Sequence, residues 1–417
     1  MRHPRAVIAA VLATGTLASL AGCSSSGGSA TADSGAANAS VYTFWDPYPQ
    51  FDASSAWAKT VSTCGTQAGV TIQRSAMDTT YLGERATLAS QEGQAPDVML
   101  VDNPLVATLV KTKVLTRTSD LGLSTAQLQK NVLGAGVVDG AAYGIPIGAN
   151  TLALYYNKNV LSAAGVDIST VTDWASLTAA LRKAKAAGKK GITFAAIGTE
   201  EGSFQFEPWF WGAGGDLTRL ARADGVAALT LWKDWVSQGL APKDVLGNNQ
   251  TAAWKEFATG QYAFGENGTW QLANADKAGF PYGVISIPAK GGGAAPTPTG
   301  GEFVTVPEQA DTSRYATDKK IIECLTTSKN LLSTDTTLSY LAPTAAVQAQ
   351  QAAQNPELGP WLSALATARG RTSNGLGADY PEISRQVWTA LDSALSGFQS
   401  PQVALTVAGK ASPGQRG

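Results

Sequence analysis

Residues 95–103 read APDVMLVDN: a Pro-Asp turn, the apolar run Val98–Val101, then Asp102 and Asn103. A short apolar run bounded by turn residues describes a buried strand, with Asp97 as a structural turn carboxylate at its start. Upstream, Val41–Phe44 is a second short apolar strand. A helix-like run from about Ser54 to Ala68 ends at Gly69, and Val70–Arg74 is strand-like again. Tyr81–Gln91 is helical in pattern and stops at Gly93. Strands alternating with helices predict an open α/β sheet, whose ligands bind beyond the carboxyl ends of its strands. That rule places Trp45, Asp46, Asp102 and Asn103 on a cleft.

Downstream, Gly144-Ile145-Pro146 leads through Asn150 into the strand Leu152–Tyr156 and the turn Asn157-Lys158. A helix from Trp174 to about Ala187 has Thr172 or Asp173 as N-cap and Gly188 as stop. Ile192–Ala196 and Gly283–Pro288 read as strands, and residues 207–212 concentrate aromatics. The run Gly225–Gln238 is amphipathic, which makes Trp232 and Trp235 core residues. Gly291–Gly301 is either a linker or a return crossing between lobes. Thr317–Leu331 is one amphipathic run, and Trp361–Lys410 is helical in pieces, broken at Gly397 and Pro401.

The start of the chain has the order of an export signal: Arg2 and Arg5, an apolar run Ala6–Leu20, and Leu20-Ala21-Gly22 before Cys23. That run is too short to span a membrane, which takes roughly 20 apolar residues. Cys23 is then either a lipid-acylated residue one, as in a bacterial lipobox, or a cysteine that abuts an ordinary cleavage site. Ser24 to about Asn38 is small and polar, the composition of a flexible tether. The chain has 31 Lys and Arg against 32 Asp and Glu; cleavage removes Arg2 and Arg5, so the exported protein has a net charge of about −3. No nucleic-acid partner is expected from that balance. The one histidine, His3, leaves with the signal, which excludes imidazole-based triads and proton relays and weakens any zinc site. No metal or cofactor is expected. Cys64 and Cys324 remain, and in an oxidising compartment they are either a disulfide within one lobe or two buried thiols.

Residues 254–270, WKEFATGQYAFGENGTW, carry a more specific pattern. They resemble the segment of bacterial extracellular solute-binding proteins, the sugar-binding components of ABC importers related to maltodextrin-binding protein, in which F-x-x-G-x-x-A and an apolar residue lead to G-x-W. Pro96–Asp102, Gly144–Ile147, Tyr155–Lys158 and Thr172–Trp174 resemble further motifs of that family in the same order. The resemblance implies a two-lobe, periplasmic-binding-protein-like α/β fold with a hinge and a ligand cleft between the lobes. The expected division is 1–22 signal peptide, 23–39 tether, 40–147 plus 301–342 lobe 1, 148–300 plus 343–410 lobe 2, and 411–417 disordered tail.

Carried over by position, the resemblance implies ligand contacts at Trp45, Asp46, Asp102, Asn103, Asn150, Trp209, Trp270, Gly301 and Glu302, with Trp211 in the same aromatic run as Trp209. A pyranose has apolar faces and a hydroxyl rim, so it needs flat rings and groups that bond two hydroxyls. Several residues keep a second reading: Asp46-Pro47 is also a turn, Asp102 also an N-cap for the run Leu105–Val110, and each tryptophan also a core residue. The implied function is capture of a mono- or oligosaccharide and delivery to an ABC permease, by a monomer lipid-anchored at the outer face of the bacterial cell membrane. Two rivals stand: a non-sugar solute such as a polyamine, amino acid or metal complex, and a secreted carbohydrate-active enzyme using two carboxylates such as Glu207 and Glu302.

Overall fold

A computed structural model describes residues 40–373 and 375–415. Cys23, the expected signal peptide 1–22 and the expected tether 23–39 lie outside the described residues. No helix among those described is long and apolar enough to cross a membrane.

The strand Val98–Asp102 is the centre of the first lobe. Val98 and Leu100 pack into one core with Trp57, Ile321 and Ile322, while Met99 and Val101 pack into another with Leu82, Val106 and Phe303. Successive strand residues face opposite sides of a sheet, so a strand covered on both faces reads as an unbroken apolar run. The sheet order is Thr71–Ala76, Val41–Asp46, Val98–Asp102, Glu302–Thr305, Ile145–Pro146. The first three strands are parallel, as the β-α-β reading requires. Glu302–Thr305 runs antiparallel to both its neighbours, Val98–Asp102 and Ile145–Pro146, and comes from distant sequence, with Glu302 directly opposite Asp102. That pairing brings two acidic residues to one end of the sheet.

Helix Ala56–Ala68 begins at Ser55, whose hydroxyl accepts from the Ala58 N–H, and ends at Gly69 with φ of 86°. Cys64 on this helix is bonded to Cys324 on helix Tyr315–Leu325, with Cα atoms 5.5 Å apart. The single amphipathic run expected over Thr317–Leu331 is two helices, Tyr315–Leu325 and Ser328–Leu338. Thr327 caps the second by accepting from the Asn330 N–H, and this local hydroxyl bond overrides the helical period.

The second lobe has the sheet order Tyr282–Ile285, Leu152–Asn157, Tyr262–Gly268, Lys190–Thr193. Leu152–Asn157 is antiparallel to both neighbours, and Lys190–Thr193 is parallel to Tyr262–Gly268. Its main core holds Phe194, Phe206, Trp209, Trp232 and Trp235, and Trp232 stacks on Phe194 at 4.0 Å. Truncating one such ring to alanine costs about 3–5 kcal/mol. Asp173 and Ser176 form the capping box that starts helix Trp174–Ala186. The aromatic run at 207–212 lies within helix Glu200–Gly212, which runs through Pro208. The proline masked this helix in the sequence.

Between the lobes the chain crosses as paired, extended segments. Ala149 exchanges backbone bonds of 2.8 Å with Leu341, and Asn150 pairs with Gly300. Pro298–Thr299 lies parallel to Arg369–Gly370. Thus Gly291–Gly301 includes a return crossing. Gly301 has φ of 105°, and a Cβ there would lie 2.5 Å from the Gly148 carbonyl oxygen, so only glycine fits the turn.

The tail expected to be disordered from 411 is folded through Gln415. Its side chain accepts from the Leu220 N–H at 3.1 Å and donates to the Leu217 carbonyl at 2.9 Å. A polar end with no apolar period gives no warning of such docking.

In the chain-entropy model, a bridge spanning 260 residues stabilises by about 5 kcal/mol. Replacing Cys64 and Cys324 by serine is expected to lower the urea midpoint of the oxidised protein to that of the reduced wild type. Unchanged midpoints would show that the bridge contributes nothing.

Candidate functional site

Asp102 ends a buried strand and begins helix Asn103–Lys111, so its carboxylate meets exposed backbone N–H groups. Its Oδ1 accepts from the Asn103 N–H at 2.8 Å and from Arg371 Nη2 at 2.8 Å. One oxygen therefore serves as helix cap and as ion-pair partner. Asn103 is buried; its amide donates to the Thr299 carbonyl at 2.8 Å, and its Oδ1 accepts from Arg371 at 3.1 Å.

Arg371 follows the crossing strand Arg369–Gly370 and is 3% exposed. Its second arm, Nη1, donates to Glu200 Oε1 at 2.7 Å, on the first turn of helix Glu200–Gly212. Phe204 on that helix lies under the guanidinium at 4.9 Å. Carboxylates from both lobes thus share one cation.

Behind Glu200 the network continues. Tyr380 donates to Glu200 Oε1 at 2.6 Å, and Ser384 donates to its other oxygen. The Tyr380 oxygen also lies 2.8 Å from Glu207 Oε1. Burial, and then the charge of Glu200, push the Glu207 carboxyl well above the usual range. A protonated Glu207 can donate to the Tyr380 oxygen while Tyr380 donates to Glu200, so the single phenolic proton suffices. Two buried polar atoms here lack a protein partner, Arg371 Nε, a donor, and Glu207 Oε2.

Glu302 stands on the first-lobe side, accepting from Tyr48 at 2.6 Å and Tyr340 at 3.3 Å. Asn150 is buried on the crossing, its side chain folded over Gly300, where a Cβ would lie 2.0 Å from Oδ1. The half-buried Trp270 ring folds back over Gly268, where a Cβ would meet it at 2.0 Å, which explains the glycine of the G-x-W spacing. Trp270 lies 6.4 Å from Phe204, so an aromatic wall leads towards Arg371.

Two of the expected contacts, Asp46 and Trp209, do not reach this joint. Asp46 is fully buried, bound by Arg74 Nη2 at 2.8 Å and by the Trp57 indole at 3.1 Å. Trp209 is equally buried and donates to Glu266 at 2.8 Å. These two side chains pack the lobes behind the joint. Trp45 is half-buried against the first lobe, 5.8 Å from Arg85. Trp211 lies 5.7 Å from the Arg369 guanidinium and walls a cavity of about 210 Å³ with Asp216, Leu217, Arg369, Ser373 and Leu376. A larger cavity of about 490 Å³, lined by Trp174, Val226, Ala227, Leu231 and Lys290, lies at the second-lobe helices and holds none of the joint residues. Thr230, Asp234 and Gln402 also line it, but all of its residues belong to the second lobe, whereas the joint gathers polar groups from both lobes.

Sequence reasoning missed Arg371, Glu200, Tyr380, Ser384, Tyr48 and Tyr340. The one available signal was Arg369-Gly370-Arg371, a basic break between helical pieces.

The family model for bacterial extracellular solute-binding proteins matches residues 59–360, and the chain belongs to that family. A binding protein of Brucella abortus is 29% identical over 180 residues, 40% of this chain and 42% of the relative; the match thus spans less than half the relative's length. A Streptococcus pneumoniae protein named a maltooligosaccharide ABC transporter solute-binding lipoprotein is 26% identical over 75% of this chain and 74% of its own. Among solved structures, an ABC transporter solute-binding protein of Thermotoga lettingae, bound with α-D-tagatose, superposes with a TM-score of 0.76 at 20% identity. That likeness covers 89% of this chain and 98% of the other, and it establishes the two-lobe fold.

Burial, and then the charge of Asp102, push the Glu302 carboxyl up to about 7. The folded state therefore holds a proton that the unfolded chain has released above about pH 4.5. This group's contribution is fully present below that value and is lost as pH rises to 7, a change of about 3 kcal/mol. Asp318, pushed up to about 8, acts in an overlapping window. The Glu302→Gln variant is expected to lose stability less steeply than wild type between pH 5 and 8, measured by urea denaturation. Parallel pH profiles would contradict the assignment.

Proposed function

We propose that this solute-binding protein captures a carbohydrate between its two lobes and delivers it to the permease of an ABC importer. The carrying observation is the joint itself, where Phe204, with Trp270 6.4 Å beyond it, lies against the guanidinium shared by the hydroxyl acceptors Asp102 and Glu200 of the two lobes. Flat rings match pyranose faces, and carboxylates and amides match the hydroxyl rim. The names of the pneumococcal and Thermotoga relatives, with their maltooligosaccharide and tagatose, support the same class.

In this reading lobe 1 comprises 40–147 plus 301–342 and lobe 2 comprises 148–300 plus 343–410, a division supported by the strand membership of the two sheets. Trp45, Asn150, Trp211, Trp270, Asp102 and Glu302 contact the ligand, Gly301 shapes the crossing, and Asn103, Asp46 and Trp209 hold those groups from behind. The ligand is released unchanged. It shifts the lobes towards closure by as much as it binds that state better. Cys23 carries the lipid that tethers the exported chain to the membrane, a reading supported by the Leu-Ala-Gly-Cys order and by the lipoprotein name of the pneumococcal relative.

A cationic solute is the competing reading, favoured by four carboxyl groups, Asp102, Glu200, Glu207 and Glu302, around one guanidinium. The raised proton affinity of Glu207 and Glu302 weakens it, because two of the four are neutral over part of the pH range.

A thermal-shift panel of sugars, amino acids and polyamines separates the two. Ligand at 100 times its Kd adds about 2.7 kcal/mol. A sugar is expected to raise Tm in wild type and not in Trp270→Ala, with at least a tenfold loss of affinity in the variant. Protection by polyamines alone would overturn the carbohydrate assignment.

A further inference from the structure

We propose that Arg371 is a positioning residue that holds the two lobes together before any solute arrives. The inference rests on the closing-lobe reading above and adds to it the group that sets the ligand-free geometry.

The first-lobe contacts are Asp102 and Asn103, at the junction of strand Val98–Asp102 and helix Asn103–Lys111. The second-lobe contact is Glu200, at the start of helix Glu200–Gly212. Arg371 itself lies on neither sheet; it follows the crossing strand Arg369–Gly370, which is held against Pro298–Thr299. The guanidinium is therefore anchored at the hinge and reaches both ways. A forked, planar cation can serve two carboxylates at once, which an ammonium on the same backbone cannot do with the same geometry.

Accessibility gives the arrangement its direction. The Arg371 side chain is 3% exposed, while those of Asp102 and Glu200 are 23% and 34% exposed. The cation is sealed and its partners keep a side open to solvent. Without the guanidinium, two like charges would be held close with no cation between them, and both would gain further hydration if the lobes parted. Loss of Arg371 therefore favours opening. A neighbouring pair, Lys111 with Asp379 at 3.5 Å, links helix Asn103–Lys111 to the turn Gly377–Asp379, but both side chains are exposed and such pairs contribute little.

The same contact positions the binding groups. Glu200 is further fixed by Tyr380 and Ser384, and Asp102 by the helix N-terminus it caps. Arg371 sets the spacing between these two prepared carboxylates.

Small-angle scattering of the exported chain, with no solute present, tests this directly. Wild type is expected to scatter with the radius of gyration of this structure. Arg371→Ala is expected to have a larger one at unchanged far-UV circular dichroism and with Cys64–Cys324 intact. Arg371→Lys should recover part of the difference, and Glu200→Gln, which removes one arm, should fall between wild type and Arg371→Ala. An Arg371→Ala protein that loses thermal stability at unchanged radius of gyration would make Arg371 a packing residue only and overturn the proposal. A wild type already as expanded as the variants would overturn it too. If Arg371→Ala does not fold, Glu200→Gln and Asp102→Asn decide: expansion supports the proposal and wild-type dimensions refute it. No carbohydrate enters the measurement, so its outcome is independent of the ligand class.

Discussion

The guanidinium of Arg371, shared by Asp102, Asn103 and Glu200, is the contact on which the joint is built. A charge sealed from solvent must be matched by hydrogen-bonded counter-charges, or its burial costs several kcal/mol. That constraint reaches into both lobes. It requires a strand of the first sheet to end at an acid, and a helix of the second to begin with one. The crossing segments must also place residue 371 between them. The paired backbones of 149–150 with 341 and 300, and of 298–299 with 369–370, provide that placement.

Much of both lobes was legible where the elements are local. The apolar run Val98–Val101, the stop at Gly69 and the cap at Asp173 each carry their own physical signature, and each stands where the sequence places it. What could not be read were joins between distant segments. Nothing near Glu302 says that it faces Asp102, because antiparallel pairing over 200 residues of intervening chain leaves no periodic trace. Pro208 hid a helix whose burial outweighs its missing N–H.

The candidate site was legible by type more than by identity. Trp270 and Asp102 stand at the joint, and Gly268 is explained by the ring that folds over it. Asp46 and Trp209 follow the same chemical rule but are packed inside, where Arg74 and Glu266 satisfy them. Residue type cannot separate a polar ligand contact from a buried partner, since both need the same hydrogen bonds. Arg371 was missed for a related reason: its role exists only after residues 369–370 have paired with 298–299 at the crossing.

Formal charge also misleads at this joint. Four acids around one arginine suggest a cation site, yet Glu207 and Glu302 retain protons more strongly than free carboxylic acids. A protonated acid donates as well as accepts, and such mixed groups suit hydroxyls better than ammonium ions. The claim that a carbohydrate occupies the joint is tested most directly by native mass spectrometry of the protein purified from its own cells, with the released solute identified by fragmentation. The account predicts one carbohydrate per chain. A polyamine, an amino acid or a metal complex released at the same stoichiometry would contradict it.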